Sequence, residues 1–175
     1  MMMRTSEKTS INTEVTPVYQ KILVPLDGSE LAERSLKHAL AIAGETKLAQ
    51  IILLTVVGPI TLGLFFPAEG FDCGGGVMAG DLLDELRKEQ EEKAKKYLNT
   101  IITRLSGKDY KLYPIIIIGR SSNEIVRFAD SNNIDLIIMS THGRSGIGRW
   151  VMGSVTDSVL HSSRVPVLVI PPQQS

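Results

Sequence analysis

The stretch DLIIMSTHGRSGIGRWVMGSV, residues 135–155, decides how this chain folds. Its apolar run stops at Met139, and a polar loop follows that contains four glycines in all. The last of them, Gly153, opens a helical pattern together with Ser154. An apolar run without polar alternation is typical of a strand buried on both faces, as in a parallel sheet. The stretch therefore predicts a strand, a glycine-rich loop and a helix in immediate succession.

Similar apolar runs occur along the rest of the chain, and helical patterns separate them. The predicted strands cover residues 21–25, 51–57, 113–118, 134–139 and 165–170. The predicted helices cover residues 29–45, 80–106, 122–132 and 154–163. This alternation predicts an α/β fold with a five-stranded doubly wound parallel sheet, strand order 3-2-1-4-5, and helices on both faces.

The length of 175 residues fits one domain, which we place at residues 20–172. Residues 1–19 are polar and rich in Ser and Thr, which predicts a disordered or loosely attached tail. Residues 58–80 form the one long irregular segment, and we expect a flexible loop insertion there. Long loops in compact domains are usually functional or disordered, so a lid or partner surface and simple disorder both stay open.

Charge balance and cysteine content argue against several classes of protein. Lys and Arg together number 19, as do Asp and Glu, so the formal net charge is zero and no basic field favours nucleic acid. No apolar run reaches about 18 residues, which argues against a membrane span. The N-terminus lacks the apolar core of a signal peptide, and the single cysteine, Cys73, fits a reducing compartment. We therefore expect a cytoplasmic protein without nucleic-acid or membrane partners.

The strand order places a candidate ligand site at the carboxyl ends of two strands. The order reverses between the first and the fourth strand, and ligands bind in the crevice at such a point. Residues 26–30 and 140–153 follow these two strands. Asp27 is the acidic side chain in the first segment, where a ribose or adenine donor could meet its carboxylate. The alternative is that Asp27 caps the next helix or shapes the turn.

The loop after the fourth predicted strand has the features of a phosphate site. Gly143 lets backbone N–H groups approach an anion closely. Gly153 and Ser154 begin a helix whose unpaired N–H groups and dipole favour negative charge. Thr156 adds a hydroxyl donor, and Arg144 either reaches a phosphate or is solvated. The alternative is that the glycines serve tight turns only and that Ser154 only caps the helix.

No motif of a catalytic site accompanies this loop. The chain has no G-x-x-x-x-G-K-[ST] phosphate loop, and GRSGIG at residues 143–148 does not match G-x-G-x-x-G. The three histidines and Cys73 are scattered, so we expect no metal site made of protein side chains. No pair of carboxylates is placed to activate water at the loop. The sequence therefore favours a protein that is not an enzyme.

Four separated motifs give the chain a specific resemblance to a known family. The segments KILVPLDGSE, DLIIMSTHGRSG, MGSVTDSVL and VPVLVI occur in this order. Together they make residues 20–171 resemble the universal stress protein family, and in particular its ATP-binding branch. That branch is known by the pattern G-x2-G-x9-G-[ST], whose second half matches Gly143, Gly153 and Ser154. Ser140 stands where the pattern has its first glycine.

The resemblance implies a fold, a ligand and an assembly. The fold would be the adenine nucleotide alpha hydrolase-like three-layer sandwich, and the ligand would be ATP or another adenine nucleotide. Independently of the resemblance, a charge-balanced phosphate site would need Mg²⁺ with ATP. Adenine and ribose would meet one group of residues: Pro25, Leu26, Asp27, Val56 through its backbone, Met139 and Ser140. The phosphates would meet a second group: Gly143, Gly153, Ser154, Val155 and Thr156. The family also implies a homodimer through the last strand, Pro166 to Ile170, and an apolar edge strand independently favours such pairing.

Three functions are compatible with these observations. The favoured one is an ATP-binding sensor or switch in the stress response, in which nucleotide occupancy biases the 58–80 segment or the dimer toward an unidentified protein partner. The second is an enzyme, either a slow ATPase or a nucleotide transferase, and it needs a water-activating base that the sequence does not clearly offer. The third is a family member that binds no nucleotide and acts through protein interaction alone, an alternative that Ser140 keeps open.

Overall fold

The computed structural model describes residues 19–44, 49–60, 76–106, 111–141 and 152–172. The helices and strands in this part of the chain follow one another in a fixed order: β1 (Lys21–Pro25), α1 (Glu30–Gly44), β2 (Gln50–Val57), α2 (Gly76–Leu105), β3 (Lys111–Ile118), α3 (Ser121–Ser131), β4 (Leu136–Ser140), α4 (Ser154–Ser162) and β5 (Val167–Ile170). This order confirms the predicted alternation of strands and helices. Among the described helices, none combines the length and the apolar character that crossing a membrane requires.

The five strands form one parallel sheet in the order β3-β2-β1-β4-β5. Strand β1 is central, and its residue Ile22 lies opposite Ile51 of β2 on one side and Leu136 of β4 on the other. The predicted strand order 3-2-1-4-5 is therefore confirmed. The order reverses between β1 and β4, as a doubly wound sheet requires.

Two apolar cores cover the two faces of the sheet, because successive side chains of a strand point to opposite faces. Ile22 and Val24 of β1 belong to the core under helices α1 and α2, where Leu36 and Leu98 pack against them. Leu23 belongs to the other core, under helices α3 and α4, together with residues such as Ile125 and Val159. The result is the three-layer sandwich that the resemblance implied.

Several element boundaries differ from the prediction. Helix α2 begins at Gly76, so residues 76–80 of the predicted loop are helical. Strand β4 begins at Leu136 instead of residue 134, because the Ile134 N–H donates to the Ala129 carbonyl at 3.1 Å at the end of helix α3. Strand β5 begins at Val167 instead of residue 165. Most of the predicted tail, residues 1–18, and the middle of the predicted loop, residues 61–75, lie outside the described residues.

The side chain of Asp135 ties the beginning of β4 to the beginning of β1. Its Oδ2 accepts hydrogen bonds from the backbone N–H groups of Gln20 at 2.9 Å and Lys21 at 2.8 Å. The Asp135 N–H in turn donates to the Lys21 carbonyl at 2.9 Å. Three hydrogen bonds therefore join the amino ends of the two central strands.

We expect the substitution Asp135→Ala to lower the free energy of unfolding by about 1.5–3 kcal/mol, because hydrogen bonds to a charged acceptor are lost. Asp130→Ala is the matched control, since Asp130 is an exposed residue of α3, and such a change costs less than about 0.5 kcal/mol. Urea unfolding of the two variants measures the difference. Equal stability of both variants would show that the hydrogen bonds of Asp135 do not stabilise the pairing of β1 with β4.

Candidate functional site

The carboxyl ends of β1 and β4 lie side by side, because these two strands pair in the middle of the sheet. The chain leaves β1 toward helix α1 and leaves β4 toward helix α4. The two helices pack on opposite faces of the sheet. In doubly wound sheets, ligands bind where two such exits diverge, and this is the place at which the sequence predicted a ligand site.

The turn after β1 is built by Asp27 and Ser29. The Oδ1 atom of Asp27 accepts hydrogen bonds from the Ser29 N–H at 3.0 Å and from the Ser29 hydroxyl at 2.6 Å. The Ser29 Oγ accepts from the Ala32 N–H at 3.1 Å, which makes Ser29 the capping residue of helix α1. Gly28 between them has a φ of +84°, which favours glycine. Asp27 thus shapes the turn, as one of the two alternatives predicted. Asp27 is also exposed at the edge of the sheet.

Helix α4 begins without a side-chain cap. Its N-cap residue is Gly153, with extended φ and ψ of −64° and 146°, and no side chain bonds there. The first helical hydrogen bond runs from the Asp157 N–H to the Gly153 carbonyl at 2.9 Å. By helix geometry, the N–H groups of Ser154, Val155 and Thr156 have no partner within the helix. The alternative that Ser154 only caps the helix is therefore wrong, since Ser154 is the first helical residue and is exposed.

The Thr156 hydroxyl has a different role from the predicted one. Its Oγ1 donates to the Ser140 carbonyl at 3.0 Å, and the residue is only 1% exposed. A hydroxyl committed to this buried bond cannot also donate to a phosphate, so the predicted side-chain contact is wrong. The bond instead fastens the beginning of α4 to the carboxyl end of β4. The backbone N–H of Thr156 stays compatible with a role at a ligand.

The other predicted ligand residues lie at the same edge of the sheet or outside the described residues. Three are buried: Leu26, Met139 and Ser140. Two are half-buried: Pro25 and Val56. Two fall outside the described residues: Gly143 and Arg144.

Helices α1 and α2 meet next to the β1 turn. The Arg104 Nη2 of α2 pairs with Oε2 of Glu33 on α1 at 2.5 Å. Tyr97, two turns earlier on α2, packs against the core of the same face. Burial raises the pKa of Tyr97 well above its ordinary value, and the negative charges of Glu33 and Asp27 raise it further. Tyr97 is therefore a neutral phenol that lies near the Asp27 turn.

Ser29 and Tyr97 contribute to this region, and the sequence analysis did not single them out as site residues. Ser29 had a recognisable signal, because a serine directly before a helical pattern is a preferred cap. Tyr97 had a weaker one, because a tyrosine in an aliphatic stripe needs a hydrogen-bond partner for its hydroxyl. Across the described ranges, no three side chains of His, Cys, Asp or Glu come together as a metal site.

Comparison with known proteins shows the family. The model of the universal stress protein family matches residues 18–171. Universal stress protein MJ0577 of Methanocaldococcus jannaschii is 34% identical over 156 residues, which cover 87% of this chain and 95% of that relative. The solved structure of MJ0577 has a TM-score of 0.71 at 32% identity and covers 90% of this chain and 99% of its own.

A second solved structure, universal stress protein UspA from Lactobacillus plantarum, has a TM-score of 0.69 at 25% identity, covering 87% of this chain and 97% of that one. These matches extend over almost the whole length of each relative. This chain therefore belongs to the universal stress protein family. The resemblance to this family that its four motifs indicated is confirmed.

We expect Thr156→Val to lower the free energy of unfolding by about 1–3 kcal/mol, because the isosteric side chain leaves the buried Ser140 carbonyl without its donor. Thr156→Ser is the matched control, since it keeps the hydroxyl, and it should lose less stability than Thr156→Val. Denaturant unfolding compares the two variants. A valine variant as stable as the wild type would show that this hydrogen bond does not hold α4 in place.

Proposed function

We propose that this universal stress protein binds an adenine nucleotide at the carboxyl ends of β1 and β4, and that it acts as a nucleotide-dependent sensor or switch in the stress response. One observation carries the proposal: helix α4 begins at the sheet's reversal point with Gly153 as its N-cap and no side-chain cap. Helix α1, which begins at the same edge, is capped by Ser29. Of these two helix beginnings, the uncapped one suits an anion.

The beginning of α4 would hold the phosphates. Three successive N–H groups, those of Ser154, Val155 and Thr156, point out of the first turn, and the helix dipole adds about 0.3–1 kcal/mol for a negative charge there. The exposed Ser154 hydroxyl supplies a further donor. Gly153 leaves the approach to these donors without a side chain. Together these groups suit a phosphate chain that lies across the end of β4.

The β1 turn would hold the base and the ribose. Asp27 is exposed beside the crevice, and a carboxylate accepts hydrogen bonds from ribose hydroxyls or from the adenine amino group. Val56, at the carboxyl end of the neighbouring strand β2, is half-buried and offers backbone atoms to the base. Family resemblance implies the same two positions. In this proposal, the base and the ribose contact the ends of β1 and β2, and the phosphates lie at the end of β4 and the beginning of α4.

We propose that Mg²⁺ enters this site with the phosphates. The described residues at the crevice include the acidic Asp27 and no Lys or Arg, so the charge of a triphosphate needs a counterion. A cation bridging phosphate oxygens would supply that charge and fix the conformation of the phosphate chain. Binding without turnover is the proposed activity, and nucleotide occupancy would change the surface offered to a protein partner.

We expect ATP with Mg²⁺ to raise the thermal midpoint of the purified protein. At an ATP concentration of about one hundred times its Kd, binding adds about 2.7 kcal/mol of stability, which corresponds to roughly 5–10 °C for a chain of this size. Differential scanning fluorimetry measures the shift, and calorimetric titration with ATP and with adenosine gives the two affinities. A protein with no thermal shift and no heat of ATP binding would rule out the proposed function.

In the same titrations, matched variants distinguish the contacts to the phosphates from the contacts to the base and ribose. Ser154→Ala should weaken ATP about three- to tenfold and leave adenosine unchanged, because it removes a phosphate donor. Ser158→Ala, one turn along the exposed side of α4, should change neither. Asp27→Asn keeps an oxygen that can accept from Ser29, and it should weaken both ligands. An unchanged ATP affinity in Ser154→Ala and Asp27→Asn together would place the nucleotide elsewhere.

We propose that two copies of the chain associate through β5. This strand lies at one edge of the sheet, is apolar along its length, and exposes 36% of Leu168. Leu168→Lys should convert a dimer to a monomer in sedimentation velocity, because a charge would then lie in the contact. Leu82→Lys, at a leucine of α2 that is 40% exposed, should leave the dimer intact. A monomeric wild type, or a dimeric Leu168→Lys variant, would contradict this assembly.

A further inference from the structure

The side chain of Tyr97 joins helix α2 to the turn that follows β1. Tyr97 is half-buried, and its ring packs against the core that α1 and α2 cover. Its hydroxyl hydrogen-bonds to the Glu33 side chain of α1 and to the backbone of Gly28. Gly28 is the middle residue of the turn that Asp27 and Ser29 build. One hydroxyl therefore connects α2, α1 and the β1 turn, next to the proposed contacts for the base and the ribose.

Burial raises the pKa of Tyr97 most strongly, and its two hydrogen-bond partners then shift that pKa in opposite directions. Glu33 raises the pKa, because an ionised carboxylate only accepts hydrogen bonds and so keeps the proton on the phenol. The Gly28 backbone lowers the pKa, because an N–H that donates to the phenol oxygen favours its ionised form. Tyr97 thus donates to Glu33 and accepts from the Gly28 N–H, as a neutral phenol can.

Two further contacts hold Glu33 in place for its bond with Tyr97. Arg104, two turns after Tyr97 on α2, pairs with Oε2 of Glu33 at 2.5 Å. The Glu33 N–H donates to the Ser29 carbonyl at 3.2 Å, where helix α1 begins. The Glu33 carboxylate is therefore fixed from α2 through Arg104, and from the β1 turn through its own backbone.

The Gly28 N–H belongs to the peptide bond that follows Asp27, so the bond with Tyr97 constrains the path of the chain at Asp27. Gly28 has a φ of +84°, and a glycine in such a turn is intrinsically mobile. A Cβ at Gly28 would meet no described atom within 4 Å, so packing does not hold this residue. The turn therefore depends on its hydrogen bonds, those of Asp27 with Ser29 and that of Gly28 with Tyr97.

We propose that Tyr97 is a positioning residue of the nucleotide site, which holds the peptide between Asp27 and Gly28 and thereby keeps Asp27 in place for the base and the ribose. This inference rests on the proposed function. A turn that is already held in its binding conformation loses less conformational freedom when the ligand binds, and this raises the affinity. The Tyr97 hydroxyl does not contact the ligand and acts only through Gly28. Its loss should weaken every ligand that uses Asp27 and leave the phosphate contacts of α4 unchanged.

Titrations of Tyr97→Phe with ATP and with adenosine test this role. The variant keeps the ring and loses the hydroxyl, so it should weaken both ligands by the same factor, about three- to tenfold. Glu33→Gln keeps an oxygen that accepts from the phenol, and it should weaken both ligands less than Glu33→Ala does. In the protein without ligand, the Gly28 N–H of Tyr97→Phe should exchange with deuterium faster than that of the wild type. Tyr113→Phe, at an exposed tyrosine of β3, is the control and should change neither affinity nor exchange.

A double variant distinguishes positioning from a general effect on the fold. Tyr97→Phe combined with Asp27→Asn should lose less ATP affinity than the product of the two single losses, because Tyr97 acts through Asp27. Three results would each overturn this inference and leave the proposed function standing: single losses that multiply, a Tyr97→Phe variant that weakens ATP but not adenosine, and a Tyr97→Phe variant with wild-type affinities. A wild type that binds neither ATP nor adenosine overturns both.

Discussion

The parallel pairing of β1 with β4 is the constraint on which the rest of the structure depends. Strand β1 is hydrogen-bonded on both sides, and its residues Ile22, Leu23 and Val24 are fully buried. Burial on both faces fixes the register, because a slip of one residue would exchange the two cores. Asp135 secures the amino ends of the pair, and Thr156 secures the helix that leaves β4. The chain therefore leaves β1 and β4 side by side, at the carboxyl ends of the strands.

The two helices that begin at this edge differ in how their first N–H groups are satisfied. At the beginning of helix α1, the Ser29 oxygen accepts a hydrogen bond from a backbone N–H. The Ser29 hydroxyl donates to Asp27, and this bond orients it. Helix α4 begins after Gly153 with no side chain bonded at its N-cap. The stability of α4 comes from Val159 in the core and from the bond between Thr156 and Ser140, so its first turn does not need a side-chain cap. A fold of this kind can leave backbone donors available to an anion without losing the helix.

The strands and their order followed from sequence, because fully buried parallel strands are recognisable as apolar runs such as residues 134–139. The beginning of α2 at Gly76 did not follow, since the glycines around it have low helix propensity and resemble a loop. The predicted position of the site rests on the same strand order. The role of Thr156 did not follow from sequence, because it depends on the carbonyl of Ser140 sixteen residues earlier, which local spacing does not reveal.

The central claim is that the first turn of α4 and the turn after β1 bind one nucleotide together. Backbone amide NMR spectra recorded as ATP and Mg²⁺ are added test it most directly, since each described N–H reports its own surroundings. The account predicts that the amide signals of Ser154, Val155 and Thr156 shift together with those of Gly28 and Ser29, with one common affinity. Amides of helix α3 should stay unchanged. Spectra without shifts at α4, or with shifts confined to other elements, would contradict the account.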